Sequence, residues 1–149
     1  MSNLRQTRRS LPIALLRARE TVMEPIREML STSGVNEQKW RVLRILEEQG
    51  PMELSHVARD ACLLLSSLTR MVGPLQDEGL VTRSTPADDR RKSVLAITAA
   101  GVALIQAHSA ISAGIFQQIE AEFGKDRLET LLDLLEDLRK IDLPRGEKG

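Results

Sequence analysis

The chain has 149 residues, the length of one ordinary domain, and its 21 basic residues are balanced by 21 acidic ones. The zero net charge argues against a nucleic-acid binder held by a uniformly basic surface. Only three residues are aromatic, whereas Leu, Ala, Arg and Glu are abundant, which favours a mainly helical protein. The single cysteine excludes an internal disulfide, and with no leader-like start we expect a cytoplasmic protein.

The charges are unevenly distributed along the chain. The first ten residues contain three arginines and no acid, and residues 80–93 contain four bases and two acids. From residue 120 onward, nine acids outnumber six bases. The neutral total therefore arises by cancellation, and a local positive surface for a polyanionic partner is still expected. The N-terminal arginines are candidates for such a contact: Arg5, Arg8 and Arg9.

Two helices are predicted in the first 50 residues. The first is expected over about residues 11–31, with a bend at Pro25 inside it. After a short turn, Asn36 is expected to cap a second helix, which should end at Gly50 because Pro51 follows.

A short helix over about residues 54–61 is expected to lead, through a tight connection, into a helix over 64–78 that ends at Gly79. Pro74 lies inside this second helix, where it removes one backbone hydrogen bond and is expected to introduce a kink. Residues expected on the buried face recur at spacings of three, four and three: Leu65, Leu68, Val72 and Leu75. The opposite face is small and polar with one cation: Ser66, Thr69, Arg70 and Gly73.

The periodicity then changes from helical to alternating. Residues 80–84 and 94–97 are predicted strands, and the turn-rich loop 85–93 joins them into a hairpin with a basic tip. Thr98 is expected to cap a long helix over about 99–121, and a last Leu-rich helix is predicted over about 125–141.

The stretch 94–119 contains no charged residue and is long enough to span a bilayer. Polar residues recur about once per turn within it, and many of its apolar residues are alanines. We therefore expect no membrane span. The preferred interpretation is a helix covered by other helices of a soluble protein, either its own or those of a partner subunit.

A short helix, a tight turn, a second helix with a polar outer face and a basic hairpin together predict a winged helix-turn-helix. A helix fits the major groove of B-DNA, small polar side chains permit close approach, and arginine can donate two hydrogen bonds to guanine or phosphate. The basic hairpin would follow the backbone or enter the minor groove. The alternative is an ordinary solvated helix face and loop, which the adjoining basic hairpin makes less favoured.

Four segments resemble the MarR family of transcriptional regulators, and the resemblance covers nearly the whole chain. They are Leu68–Met71, Asp77–Val81, Asp89-x-Arg91 and Ile97-Thr-x-x-Gly101. Two further segments, Ile13–Glu20 and Glu37–Leu46, resemble the branch of that family that represses homoprotocatechuate degradation operons.

The resemblance implies a homodimer that binds a pseudo-palindromic double-stranded DNA operator. It divides the chain into an N-terminal arm and dimerisation helix (1–35), a winged helix-turn-helix domain (36–97) and C-terminal dimerisation helices (98–149). Asp89 would brace the wing by pairing with Arg91, and Arg91 would enter the minor groove. Together with the basic residues of the hairpin, the candidate DNA-contacting residues are Ser66, Ser67, Thr69, Arg70, Arg83, Asp89, Arg90, Arg91 and Lys92.

The resemblance also implies release from DNA by a small phenolic carboxylate such as homoprotocatechuate, bound between the dimer helices and the reading domain. An arginine beside an aromatic ring suits such a ligand. The candidate effector-binding residues are Arg17, Met23, Trp40, Arg41 and Arg44. The alternative makes Trp40 a core residue and pairs the arginines with Glu20, Glu24 or Glu47. His108 is expected to be a satisfied interface histidine.

Other functions are less favoured by the sequence. We expect no enzyme, no cofactor and no metal site, since the chain has two histidines and one cysteine and shows no catalytic set or phosphate loop. Two alternatives remain: a winged-helix protein-interaction module, and a redox-responsive regulator acting through Cys62. A small buried side chain is the preferred interpretation of Cys62.

Overall fold

The fold is taken from a computed structural model that describes residues 6–144. Within this range the chain forms six α-helices and three short β-strands and divides into two compact units, with the boundary after Ser112. Arg5 lies outside the described residues, while Arg8 and Arg9 lie in a short 3-10 turn and are exposed. The predicted mainly helical winged-helix architecture is confirmed.

Helix α1 spans Leu11–Leu30 and contains a proline in its first turn, as predicted. It continues through Pro25 without ending there. Only its C-terminal part is buried, through Ile26, Met29 and Leu30, whereas the large apolar side chains of Leu11, Leu15, Leu16 and Val22 are exposed.

Helix α2 spans Glu37–Gln49, and its predicted cap is confirmed. The side-chain oxygen of Asn36 accepts a hydrogen bond from the Lys39 backbone N–H at 2.9 Å. Gly50 ends the helix with φ of 83°, a left-handed conformation that favours glycine. The helix buries four apolar side chains: Trp40, Val42, Leu43 and Leu46.

Helices α3 (Leu54–Asp60) and α4 (Leu65–Asp77) form the helix-turn-helix pair. Helix α4 runs through Pro74 and is followed by Gly79 at φ of 74°. One predicted core residue is wrong: Leu65 is 50% exposed because α4 begins there. The buried face of α4 is formed by Leu68, Met71, Val72 and Leu75.

The sheet has three antiparallel strands in the order β1-β3-β2 rather than two. Strands β2 (Val81–Ser84) and β3 (Val94–Ile97) are the predicted hairpin, with Val81 opposite Ile97. Strand β1 (Met52–Glu53) was not predicted, because two residues are too short to show an alternating pattern. It pairs with β3 and joins the start of α3 to the wing.

A dense junction connects the end of α4 to the start of α5 (Ala99–Phe123). The Thr98 hydroxyl donates to the Gly79 carbonyl at 2.6 Å and accepts from the Gly101 N–H at 3.1 Å, which confirms Thr98 as the cap. A Cβ on Gly101 would lie 2.5 Å from the Leu80 carbonyl oxygen. The glycine in the Ile97-Thr-x-x-Gly101 segment is therefore required by this close approach.

Helix α5 is long and apolar enough, by length and composition, to cross a membrane. Within the described residues only Gly101, Ile105 and Ser112 of this helix are buried, which does not match the expectation of a helix covered within its own chain. Helix α6 spans Lys125–Lys140 and has no buried residue.

Candidate nucleic-acid interface

The polar face of α4 is exposed as predicted. Ser66, Thr69 and Arg70 are exposed and Ser67 is half-buried. The Thr69 hydroxyl donates to the Leu65 carbonyl at 2.8 Å, and Arg70 Nε donates to the Ser66 carbonyl at 3.4 Å. Within residues 6–144 Arg70 makes no ion pair, so its guanidinium keeps donors for an external acceptor.

The two strands of the wing hold one arginine in place. Arg83 extends from β2 and donates from Nε and Nη2 to the Ser93 hydroxyl at 3.2 and 2.9 Å. Because Ser93 immediately precedes β3, these hydrogen bonds join both sides of the hairpin beside its base.

The wing tip differs from the predicted side-chain pairing. Asp89 Oδ1 accepts a hydrogen bond from the backbone N–H of Arg91 at 3.0 Å, so Asp89 braces the turn through the backbone and not through the guanidinium. In the described part of the chain, Arg90 and Arg91 are exposed and make no ion pair. Both guanidinium groups therefore remain available for phosphate.

A cleft of about 290 Å³ lies between α4 and the wing. We call it the wing cleft. It brings the α4 residue Thr69 together with three wing cations, as well as polar residues that the sequence did not single out, among them Glu53 and Ser93. The polar lining consists mainly of Glu53, Thr69, Arg83, Arg91, Lys92 and Ser93. Such a cleft can donate several hydrogen bonds to a phosphodiester backbone.

Glu53 and Ser93 were missed because their roles depend on pairing between distant segments. Lys92 Nζ lies 3.3 Å from Glu53 Oε1, and the Leu54 N–H donates to the Ser93 carbonyl at 3.0 Å. Both contacts follow from strand β1, for which the sequence carries no periodic signal.

The candidate effector residues have different environments. Trp40 is buried, and its ring makes an edge contact with His108 at a centroid distance of 5.6 Å, which supports a core role for Trp40. His108 Nδ1 lies 3.0 Å from the Leu104 carbonyl oxygen, so this histidine has a partner. Met23 and Arg41 are half-buried, and Arg17 and Arg44 are exposed.

The proposed pairing of these arginines with carboxylates is wrong. Glu20 instead pairs with Arg27 at 2.7 Å, and Arg27 also approaches Glu37 at 3.6 Å. The hydrogen bond from Arg27 lowers the pKa of the Glu20 carboxyl below its ordinary value. Within residues 6–144 no ion pair forms at the three remaining candidates, Arg17, Arg41 and Arg44.

Cys62 is exposed, which contradicts the expectation of a buried side chain. It occupies the turn between α3 and α4 with φ of 55°, a left-handed conformation that is uncommon for residues other than glycine, while the neighbouring Ala61 is buried. Among the described residues no group of three His, Cys, Asp or Glu side chains could hold a metal ion.

Helix α4, which we call the reading helix, has an exposed polar face beside a cationic wing. This arrangement defines a winged-helix DNA-binding protein. The MarR family model matches residues 35–93, which contain α4, the first wing strand with the basic loop, and the residues that line the wing cleft. Together with the relatives below, this match shows that the chain belongs to the MarR family, whose members are transcriptional regulators rather than enzymes.

Two curated relatives and one solved structure define the resemblance further. The chain is 36% identical over 138 residues to the homoprotocatechuate degradative operon repressor of Escherichia coli, covering 93% of each chain. It is 34% identical over 133 residues to the regulator FarR of Neisseria gonorrhoeae, covering 89% of this chain and 91% of FarR. The structure of NadR in complex with 4-hydroxyphenylacetate has a TM-score of 0.82 at 33% identity, covering 95% of this chain and 100% of NadR.

Proposed function

We propose that the protein is a homodimeric repressor of an aromatic-compound catabolic operon. It binds a pseudo-palindromic operator in the cytoplasm and is released by a small phenolic carboxylate. The observation that carries the proposal is the wing cleft, where the reading helix and three wing cations face one volume. The similarity to a homoprotocatechuate operon repressor supports the class of regulated genes.

The proposed division of labour assigns phosphates to the wing and bases to α4. Arg91 is exposed and unpaired within the described chain, which suits insertion into the minor groove. Ser66, Ser67, Thr69 and Arg70 lie at the start of α4, the part of a recognition helix that reaches base edges in the major groove. Arg83, Arg90 and Lys92 would add phosphate contacts.

Dimer formation is supported by apolar side chains that the single chain leaves exposed. Leu16 of α1 is 61% exposed and Leu134 of α6 is 59% exposed. Apolar residues concentrated in this way mark an interaction surface. We assign residues 1–35 and 98–149 to dimerisation and 36–97 to DNA binding, so that a two-fold dimer would contact half-sites about one helical turn apart.

The effector class is supported by unpaired cations. Arg17 and Arg44 keep their donors available because Glu20 is occupied by Arg27. A guanidinium can clamp a carboxylate through two hydrogen bonds. The solved NadR complex contains 4-hydroxyphenylacetate, a ligand of this chemical class.

Salt-dependent binding to promoter DNA tests the proposed function. The logarithm of the affinity should fall steeply with the logarithm of salt concentration, with a slope that reflects several phosphate contacts per dimer. Arg91→Ala should weaken binding to every sequence. Arg70→Ala should also relax base preference, by about 1–3 kcal/mol for a bidentate base contact.

Arg19→Ala is the matched control, since it removes an arginine of α1 that pairs with Glu37 at 3.0 Å, outside the proposed interface. An affinity for promoter DNA that does not change with salt concentration would contradict the proposed repressor function and favour a protein-interaction module. Equal losses on specific and random DNA for Arg91→Ala and Arg70→Ala would contradict the assigned roles.

Thermal shift and calorimetry against hydroxylated phenylacetates, benzoates and cinnamates test the effector class. At least one ligand should raise the melting temperature of the wild-type protein, because a ligand that binds only the folded state stabilises it. Arg17→Ala or Arg44→Ala should lose that response, whereas Arg19→Ala should keep it. A panel without any stabilising ligand would refute this effector chemistry.

A further inference from the structure

Glu53 lies inside the wing cleft at a position fixed by backbone pairing. Glu53 pairs with Val94 in the register of strands β1 and β3. The backbone N–H of the following residue, Leu54, donates to the Ser93 carbonyl at 3.0 Å. Glu53 is also the residue that precedes α3, but its side chain makes no capping hydrogen bond. Backbone hydrogen bonds therefore hold this segment, and the carboxylate is not used to cap the helix.

The carboxylate is the one acid among the described residues that line the wing cleft, which also contains Arg83, Arg91 and Lys92. Its Oε1 lies 3.3 Å from Lys92 Nζ. The two side chains are 33% and 50% exposed. An ion pair this exposed contributes little to folding stability. Folding therefore gives no reason for placing a negative charge where DNA phosphates are expected.

We propose that Glu53 is a positioning residue that limits the affinity for DNA. It holds Lys92 against β1 and repels phosphate from the wing cleft. The inference rests on the proposed DNA-binding function. To contact a phosphate, Lys92 must leave Glu53, and the uncompensated carboxylate then faces the polyanion. Both effects depend on charge and not on base sequence, so they lower the affinity for operator DNA and for random DNA by the same factor.

Glu53→Gln tests this role because it removes the charge and keeps the shape. With a random-sequence 30-base-pair duplex, affinity at low salt should rise roughly fivefold, and the slope of log affinity against log salt should steepen by about 0.9 per bound protomer, since one more phosphate is neutralised. The affinity for an operator obtained by in vitro selection should rise by the same factor.

Glu78→Gln is the matched control. Glu78 forms an ion pair with Lys39 at the same distance of 3.3 Å and lies outside the residues that line the wing cleft. Its removal changes the net charge by the same amount and should leave the salt slope unchanged. A Glu53→Gln slope equal to that of Glu78→Gln and of the wild type would overturn the proposal.

Two further variants test whether the effect passes through Lys92. In the wild-type background Lys92→Gln should weaken binding less than Arg91→Gln, because Lys92 is already restrained. In the Lys92→Gln background, Glu53→Gln should give a smaller gain than in the wild type. An equal loss for Lys92→Gln and Arg91→Gln, or an undiminished gain, would overturn the restraint of Lys92.

The wild-type measurement distinguishes a failure of the proposed DNA-binding function from a failure of the role assigned to Glu53. Absence of salt-dependent binding by the wild-type protein refutes the proposed function itself. Normal wild-type binding with an unaltered Glu53→Gln variant refutes only the inference about Glu53. Circular dichroism of each variant confirms that the comparison is between folded proteins.

Discussion

The winged-helix region and the C-terminal unit bury their apolar residues to very different extents. In the first, Leu43, Leu46, Leu68, Leu75 and Leu95 are completely buried. In the second, which begins at Ala113, helix α6 has no buried residue and four of its leucines count among the exposed large side chains. The winged-helix region therefore completes a core within one chain, whereas the C-terminal unit leaves an apolar surface exposed.

This difference separates two sources of stability in one polypeptide. Side chains of the winged-helix region are stabilised by intramolecular burial, which does not depend on protein concentration. An apolar surface completed by a second subunit is stabilised in proportion to how much of the protein is associated. Substitutions placed in the two regions should therefore respond differently to dilution.

The largest effect is expected from a core substitution. Leu43→Ala removes a side chain with no exposed surface and leaves a cavity in the winged-helix core. It should lower the free energy of unfolding by about 2–5 kcal/mol. Chemical denaturation at two protein concentrations measures the loss. A loss below 1 kcal/mol would break the contrast, because it would mean that the winged-helix core tolerates a cavity.

The two glycines of α5 provide a matched pair across the boundary. Gly101→Ala places a Cβ against the Leu80 carbonyl and should destabilise the fold by about 1–3 kcal/mol. Gly114 has no atom within 4 Å of an added Cβ, so Gly114→Ala should raise helix stability by up to about 1 kcal/mol. Thermal unfolding of both variants checks the signs. A destabilised Gly114→Ala variant would reveal a closely packed partner at that position.

A weaker effect is expected at the proposed dimer surface. Leu135→Ala shortens a side chain of α6 that is 37% exposed in the single chain. It should weaken dimerisation by about 1 kcal/mol or more if it lies at an interface centre. Analytical ultracentrifugation gives the dimer dissociation constant. An unchanged constant for Leu135→Ala and for the equivalent changes at Leu131 and Leu132 would refute the assignment of this face.

The smallest effect concerns charge in the C-terminal unit. Hydrogen bonding from Arg139 lowers the pKa of the Glu136 carboxyl from 4.5 to about 2, with a further contribution from Lys140. A lowered pKa stabilises the folded state above pH 4.5, and that contribution disappears as the pH falls towards 2. Carboxyl NMR titration should show this low pKa, and Arg139→Gln should return it towards 4.5. A Glu136 pKa near 4.5 in the wild type would contradict the ion pair.

Helix boundaries could be predicted from the sequence because local chemistry determines them. Asn36, Gly50, Gly79 and Thr98 each end or cap a helix through hydrogen bonds and backbone angles within a few residues. The positions that were wrong depend on longer-range context. Leu65 fits the apolar periodicity of α4 but is the first residue of that helix. At this position the side chain lines the wing cleft and not the core.

The candidate site was predictable in its basic residues but not in its pairing. Arg83, Arg91 and Lys92 follow from the composition of the hairpin. The contact between Lys92 and Glu53 joins residues 39 positions apart through a two-residue strand, and no local pattern indicates it. The exposure of Cys62, in a turn with a left-handed backbone angle, likewise could not be predicted from residue type.

The junction of Gly79, Thr98 and Gly101 determines how a signal could reach the reading helix. The Thr98 hydroxyl donates to the Gly79 carbonyl at 2.6 Å, and the Thr98 N–H donates to the Leu80 carbonyl at 3.0 Å. The start of α5 is thus joined directly to the segment that follows α4. In the proposed dimer, a change in the direction of the first turn of α5 would move the segment after α4 with it, so the spacing between the two half-site readers would change.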